Sequence, residues 1–316
     1  MSKTHQTLSD HAKTPGLPGF VAMASHKGQI CFSGAYGQRG PDLAVPMATD
    51  QVFYIASMTK AITTMAALQL VEQGKVDLDQ DPGTVLDDLA APKVLTGFNE
   101  DKTPILRPAK ASITLRHLLS HTSGFGYDMW NPDLAQYVAV SGTPGIGTGL
   151  KAALRLPLAF DPGTAWEYGI GIDWAGQVVE AVSGKTLDVY CRDHITTPLG
   201  MTDTAFLPHS AMQPRLAGMA ARGCNCRRDA TGGDNVVVLD QDSVIEPEAM
   251  VEAATATHGV FLEGARAWRR LACTDHACLC AADLLNQSVC SGSHADRKST
   301  RLNSSHSSVS RMPSSA

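Results

Sequence analysis

The sequence predicts an α+β domain, an antiparallel sheet flanked by helices, and three observations carry that expectation. The first is a hairpin signal near the start: residues 20–25 and 29–36 read as strands around the turn residues His26, Lys27 and Gly28. The second is residues 57–73, which contain no proline and no glycine and are followed by Gly74, where a helix closes in a left-handed cap. Apolar residues there, among them Met58, Ile62, Met65, Ala66, Leu70 and Val71, fall on nearly every face, the pattern of a helix buried in a sizeable domain. The third is a series of shorter helical signals further on, so that two early strands and a buried helix read as a sheet covered by helices.

With 316 residues, 43% hydrophobic and 18% charged, the chain can bury a substantial core. A net charge of −5 supplies no basic footprint for nucleic acid or an anionic membrane. Residues 1–16 are polar and lack the apolar stretch of a secretory signal, and no run is long and apolar enough to span a bilayer. A cytoplasmic protein without nucleic-acid or membrane partners is the expectation. Cys31 and Cys191 stand apart and read as ordinary buried thiols, whereas Cys224, Cys226, Cys273, Cys278, Cys280 and Cys290 crowd the last third around His276. Their spacing matches none of the paired knuckles of zinc sites.

In chain order, residues 1–17 read as a flexible arm and 37–46 as loop after the hairpin. Asp81-Pro82-Gly83 makes a turn, and the pattern stays loop-rich with short helical pieces to about Pro108. Thr114 caps a helix over 115–120, with Leu115, Leu118 and Leu119 inward. Asp161-Pro162-Gly163 turns towards Trp166-Glu167-Tyr168-Gly169. Helices follow over about 173–182, stopped by Gly184, and from Thr186 to about residue 195, ended by Pro198-Leu199-Gly200.

The chemistry sits at the start of the buried helix. Within residues 51–71 the only formal charge is Lys60, and an ammonium in apolar surroundings is costly. Ser57 precedes it by three residues, on the same helical face. A serine hydroxyl needs a base within hydrogen-bond reach to attack at neutral pH. Lysine serves once burial lowers its pKa from about 10.4 in water. The helix N-terminus adds a backbone N–H and a favourable dipole for an oxyanion. The residues by themselves leave open that Ser57 is an N-cap and that Lys60 snorkels to solvent.

Ile55-Ala56-Ser57-Met58-Thr59-Lys60-Ala61 resembles the first motif of the serine β-lactamase-related hydrolases, specifically the class C-like branch with its family VIII carboxylesterases. Gly74-Lys75-Val76-Asp77-Leu78-Asp79 resembles the turn after that family's catalytic helix, and residues 118–125 its Leu-Leu-Ser-His-Thr-Ser-Gly segment. Residues 161–168 are similar to the approach to the second motif and 198–204 to a later signature, so the resemblance covers about residues 18–223. It implies a β-lactamase/transpeptidase-like fold with a mostly helical subdomain between the serine helix and Tyr168. It also implies that Ser57 is the acylated nucleophile, Lys60 its partner in proton transfer, and Tyr168 the phenol that exchanges a proton with serine and leaving group. The Ser57 amide and an amide from a late edge strand would form the oxyanion hole. The resemblance implies a small-molecule ester or amide substrate and no metal or organic cofactor. Position 170 is Ile where lactam-cleaving relatives carry Asn, a change that favours esters. The implied function is a serine hydrolase cleaving short-chain carboxylic esters through an acyl-enzyme. A β-lactamase or D-amino-acid peptidase is the alternative within enzymes, and a non-catalytic acyl-binding or sensor homologue the alternative outside them.

Other motifs fall short. His117 and His121 stand at i and i+4, but no glutamate follows the first histidine as in zinc proteases. Ser183-Gly184-Lys185-Thr186 has Val179 where a phosphate loop carries its first glycine, and no Gly-x-Ser-x-Gly elbow occurs. Residues 296–306 resemble the in-frame translation of a sequencing-library adapter, so 296–316 is expected to be a non-native, disordered tail. Residues 224–295 contain no third family motif and are expected to be a degraded or frameshifted continuation of the domain, although 282–286 resembles a family helix again. On this reading 18–223 is an incomplete domain without its C-terminal strands and second oxyanion donor, and the chain is poorly soluble or inactive.

Overall fold

The computed structural model describes residues 2–14, 17–40 and 43–218, together with the backbone of three short strands beyond them. The cysteine cluster around His276 and residues 296–316 lie outside the described residues. The chain opens with helix α1 (Lys3–His11), followed by β1 (Gly19–His26) and β2 (Gln29–Gly40). The expected flexible arm is thus helical over much of its length and is laid against β2. His5 meets the Phe32 ring at 4.8 Å, and its Nδ1 lies 2.6 Å from the Tyr36 hydroxyl. No residue of α1 is buried, so the sequence carries no apolar stripe to announce it.

β1 and β2 pair antiparallel about Lys27 and Gly28, whose φ values of 46° and 74° are those a two-residue hairpin turn requires. The expected loop over 37–46 is instead the end of β2 and a third strand, β3 (Leu43–Pro46), paired back on it. Gly37, Gly40 and Pro41 punctuate that stretch and mask the strand signal.

β4 (Val52–Tyr54) leads through a 3-10 turn at Ala56–Met58 into α2 (Thr59–Glu72). Ile62, Ala66, Ala67 and Leu70 are buried, whereas Met58 and Ala61 are exposed. The expected burial on every face therefore fails at the N-terminal end, where the helix opens to solvent. Gly74, at φ 66°, ends the helix in the expected left-handed cap, and the Lys75 N–H returns to the Leu70 carbonyl.

The expected loop-rich, mostly helical stretch after α2 contains a hairpin, β5 (Lys93–Phe98) and β6 (Pro104–Pro108), with an irregularity between Leu95 and Gly97. Bulging and the bounding prolines erase the alternation that would have announced it. Thr114 caps α3 (Leu115–Leu119) as expected, in a capping box closed by the His117 side chain. α4 (Pro132–Ser141) starts at an Asn131 cap and has no counterpart in the sequence reading. α5 (Gly171–Ser183), ended by Gly184 at φ 69°, and α6 (Leu187–Cys191) fall where expected, and α6 runs into a π-helical turn at Arg192–Thr196. α2 and α3 pack on α5 around Ile62, Leu70, Leu118, Trp174 and Val178.

β7 (Thr204–Ala205), β8 (Ala220–Arg222), β9 (Val236–Val238) and β10 (Leu262–Gly264) complete the described strands. β10 lies between β4 and β7, and β8 pairs with β9. The described strands form small antiparallel sheets beside the helices, the α+β arrangement the sequence predicts. Among the described residues, no helix is long and apolar enough to cross a membrane.

Candidate active site

The site is built at the open end of α2. Ser57 sits exposed in the 3-10 turn and Lys60 half-buried in the first turn of α2, with Lys60 Nζ donating to Ser57 Oγ at 3.4 Å. Ala56 reaches this turn with φ 42°, a left-handed conformation that costs a residue with a Cβ of order 1–2 kcal/mol. The strained entry turns the chain sharply from β4 into the helix and leaves the serine at the surface.

Tyr168 closes the other side. Lys60 Nζ lies 5.0 Å from the centroid of its ring and 5.5 Å from that of Tyr127. The structure thus brings together Ser57, Lys60 and Tyr168, the three residues expected from the sequence, and adds Tyr127, which the sequence reading missed. Tyr168 is held by its neighbours in the chain. The Glu167 N–H donates to the His121 carbonyl at 3.0 Å, the Gly169 N–H to His121 Nδ1 at 3.4 Å, and the Glu167 carboxylate accepts from Asn131 Nδ2 at 2.9 Å. Gly169 passes so close to the preceding loop that a Cβ there would lie 2.3 Å from the Phe125 carbonyl oxygen, so only glycine fits. Further back, Arg107 holds Asp161 with paired hydrogen bonds of 2.8 and 2.7 Å, pinning the turn that leads to Tyr168.

His121 sits at φ 58° with its ring 4.8 Å from that of Tyr168. Burial, helped by the charge of Lys60, pushes its pKa down to about 4, so the imidazole is neutral at neutral pH. The other half of the histidine pair, His117, instead accepts the Thr114 N–H at the α3 cap. Burial raises the Tyr127 phenol above its ordinary value, and Tyr127 hydrogen-bonds the Asp173 carboxylate. Asp173 is pushed up to about 7 by burial, against the opposing pull of Lys60 and of the Tyr127 hydrogen bond. Ile170 is fully buried in the core, so position 170 brings no polar group to the site. Met58, next to Ser57 in the chain, is 51% exposed, and on the tyrosine side Trp130 and Trp166 are each 63% exposed, the Trp166 ring 6.2 Å from that of His121. The Trp130 ring continues onto Tyr127 at 5.3 Å and Tyr168 at 5.5 Å. His121 carried a signal in its own segment, but neither Tyr127 nor Asp173 lies in a spacing that sequence reasoning could have used.

Comparison with known proteins places this geometry. The Beta-lactamase family model matches residues 5–262. Lovastatin esterase of Penicillium rubens is 40% identical over 212 residues, 66% of this chain and 53% of that protein. Monacolin J acid methylbutanoyltransferase of Aspergillus terreus is 36% identical over 256 residues, 79% of this chain and 60% of the other. The chain spans little more than half the length of these curated relatives. Among solved structures, unliganded Simvastatin Synthase (LovD) from Aspergillus terreus, a selenomethionyl derivative, superposes with a TM-score of 0.73 at 31% identity, covering 90% of this chain and 70% of that one. EstCE1, described as a hydrolase with promiscuous acyltransferase activity, shares the fold with a TM-score of 0.62 at 21% identity, over 84% of this chain and 70% of its own.

Proposed function

This chain belongs to the Beta-lactamase family, and from that premise we infer that it cleaves carboxylic esters through an acyl-enzyme on Ser57, with short acyl chains as donors. The Ser57 hydroxyl adds to the ester carbonyl and passes its proton to the Lys60–Tyr168 pair. Collapse of the tetrahedral adduct breaks the ester C–O bond, and the departing alkoxide takes that proton and leaves as alcohol. Water then adds to the acyl-serine by the same proton path in reverse and releases the acid. The observation that carries this reading is the 3.4 Å contact from Lys60 Nζ to Ser57 Oγ, with the Tyr168 ring 5.0 Å from the same amine. Ile170, turned into the core, favours esters over lactams as substrates.

Transfer of the acyl group to an alcohol instead of water is a second reading. The exposed Trp130 ring, 5.5 Å from that of Tyr168, favours it, because it offers an apolar landing surface for an acceptor. Relatives named as an esterase and as a methylbutanoyltransferase support the pair of readings. The test is a fluorophosphonate probe followed by p-nitrophenyl butyrate. We expect an adduct on Ser57, absent in Ser57→Ala, together with release of p-nitrophenol. An adduct without turnover would assign a non-catalytic acyl-binding protein, and nitrocefin turnover above ester turnover a lactamase. No adduct on Ser57 would overturn the acyl-enzyme reading.

A further inference from the structure

The mechanism above leaves Asp173 without a task. It stands in the first turn of α5, the helix packed on α2, and its Oδ2 is sealed from solvent. A carboxylate in such a place is costly unless a charge or a donor faces it. Here the Tyr127 hydroxyl donates to it, and the charge of Lys60 acts on it. The Tyr127 ring in turn faces Lys60 Nζ at 5.5 Å and the Tyr168 ring at 5.4 Å. Carboxylate, phenol and amine thus form one contiguous set behind the serine.

We propose that Asp173, with Tyr127 as its hydrogen-bonded link, is a positioning residue that holds Lys60 Nζ between Ser57 and Tyr168. The proposal rests on the acyl-enzyme reading. Its physical ground is that the site is open at Ser57, and the rotamer entropy of a lysine side chain favours its wandering into solvent. Above about pH 7, where Asp173 is ionised, its negative charge behind the amine opposes that. The charged and titratable groups on the surrounding elements are accounted for. His121 is neutral near pH 7, Arg116 of α3 is paired with Asp79, His117 is held in the α3 cap with its pKa lowered by burial, and Asp188 of α6 faces Cys191. Lys60 and Tyr168 are themselves proton-transfer groups of the site, so a step near pH 7, where the Asp173 carboxyl titrates, is assigned to Asp173 by its loss in Asp173→Asn.

The experiment measures the rate of fluorophosphonate labelling of Ser57 against pH in the unaltered chain, Asp173→Asn, Tyr127→Phe and the double variant, with folding followed by thermal unfolding. The unaltered rate is expected to rise through a step near pH 7 as Asp173 ionises. Asp173→Asn removes the step and labels about tenfold more slowly above it, Tyr127→Phe loses a similar factor, and the double variant loses no more than the worse single. Full rate with an unchanged step in Asp173→Asn overturns the proposal, and so do single losses that multiply in the double. Should Asp173→Asn fail to fold, Tyr127→Phe decides by itself, and an unchanged rate and step there overturn the proposal. Absence of labelling in the unaltered chain is a different result: it removes the acyl-enzyme reading and the proposal with it.

Discussion

The serine side and the tyrosine side of the site are built in opposite ways. Ser57 and Lys60 are three residues apart at one helix end, exposed or half-exposed, and their contact needs only the geometry of a turn. Tyr168 and its supports come from separate segments: the link from Gly169 to His121 spans 48 positions and that from Asn131 to Glu167 spans 36. The serine side is local and strained at Ala56; the tyrosine side is long-range and partly buried. The difference teaches that Ser57 and Lys60 are placed by backbone geometry, whereas Tyr168 is placed by packing.

Substitutions can break that division, and the largest effect is expected where the two sides meet. Lys60→Met and Tyr168→Phe should each slow Ser57 labelling by about a hundredfold or more, the scale of a lost proton-transfer partner, with melting temperatures close to that of the unaltered chain. A tyrosine side built by packing should also be sensitive to a single methyl. Gly169→Ala, driven against the Phe125 carbonyl, should cost about 1–3 kcal/mol in a denaturant titration and slow labelling through a displaced Tyr168.

The buried groups of the tyrosine side should further give stability a pH dependence. His121, with its pKa lowered from 6.5 to about 4, contributes stability that is lost as pH falls through that window. Asp173, raised from 3.8 to about 7, has the opposite sign, and its contribution is lost as pH rises through its own window. Removing one slope exposes the other. His121→Gln should make thermal stability fall as pH rises from about 4 to about 6.5, where the unaltered chain is flatter; a slope of the same size and sign in both proteins would contradict this. The smallest effect belongs to the serine side: Ala56→Gly, which relieves the left-handed strain, should stabilise by no more than about 1 kcal/mol in chemical unfolding.

The same division explains what could be read in the sequence. Ser57 and Lys60 were legible because a helical period places them together, and Thr114, Gly74 and Gly184 because caps leave residue signatures. Tyr168 was reached through the resemblance of its segment to a known motif, since a lone tyrosine has no spacing to betray it. Tyr127 and Asp173 were invisible: their meeting depends on α5 lying against α2 and on the loop after α3 reaching both. Ile170 was read as a departure from the lactam-cleaving pattern; its burial in the core is a fact of packing. The hairpin of β5 and β6 and the added strand β3 escaped because glycines and prolines break their alternation. Helix α1 escaped because it hides nothing.

Peptide mapping of the fluorophosphonate-treated chain tests the central claim most directly. The account expects the adduct on Ser57 at neutral pH, formed far more slowly when Lys60 is Met, although the serine itself is untouched. An adduct on Ser57 that forms equally fast with Met at position 60, or an adduct found only on another residue, would contradict it.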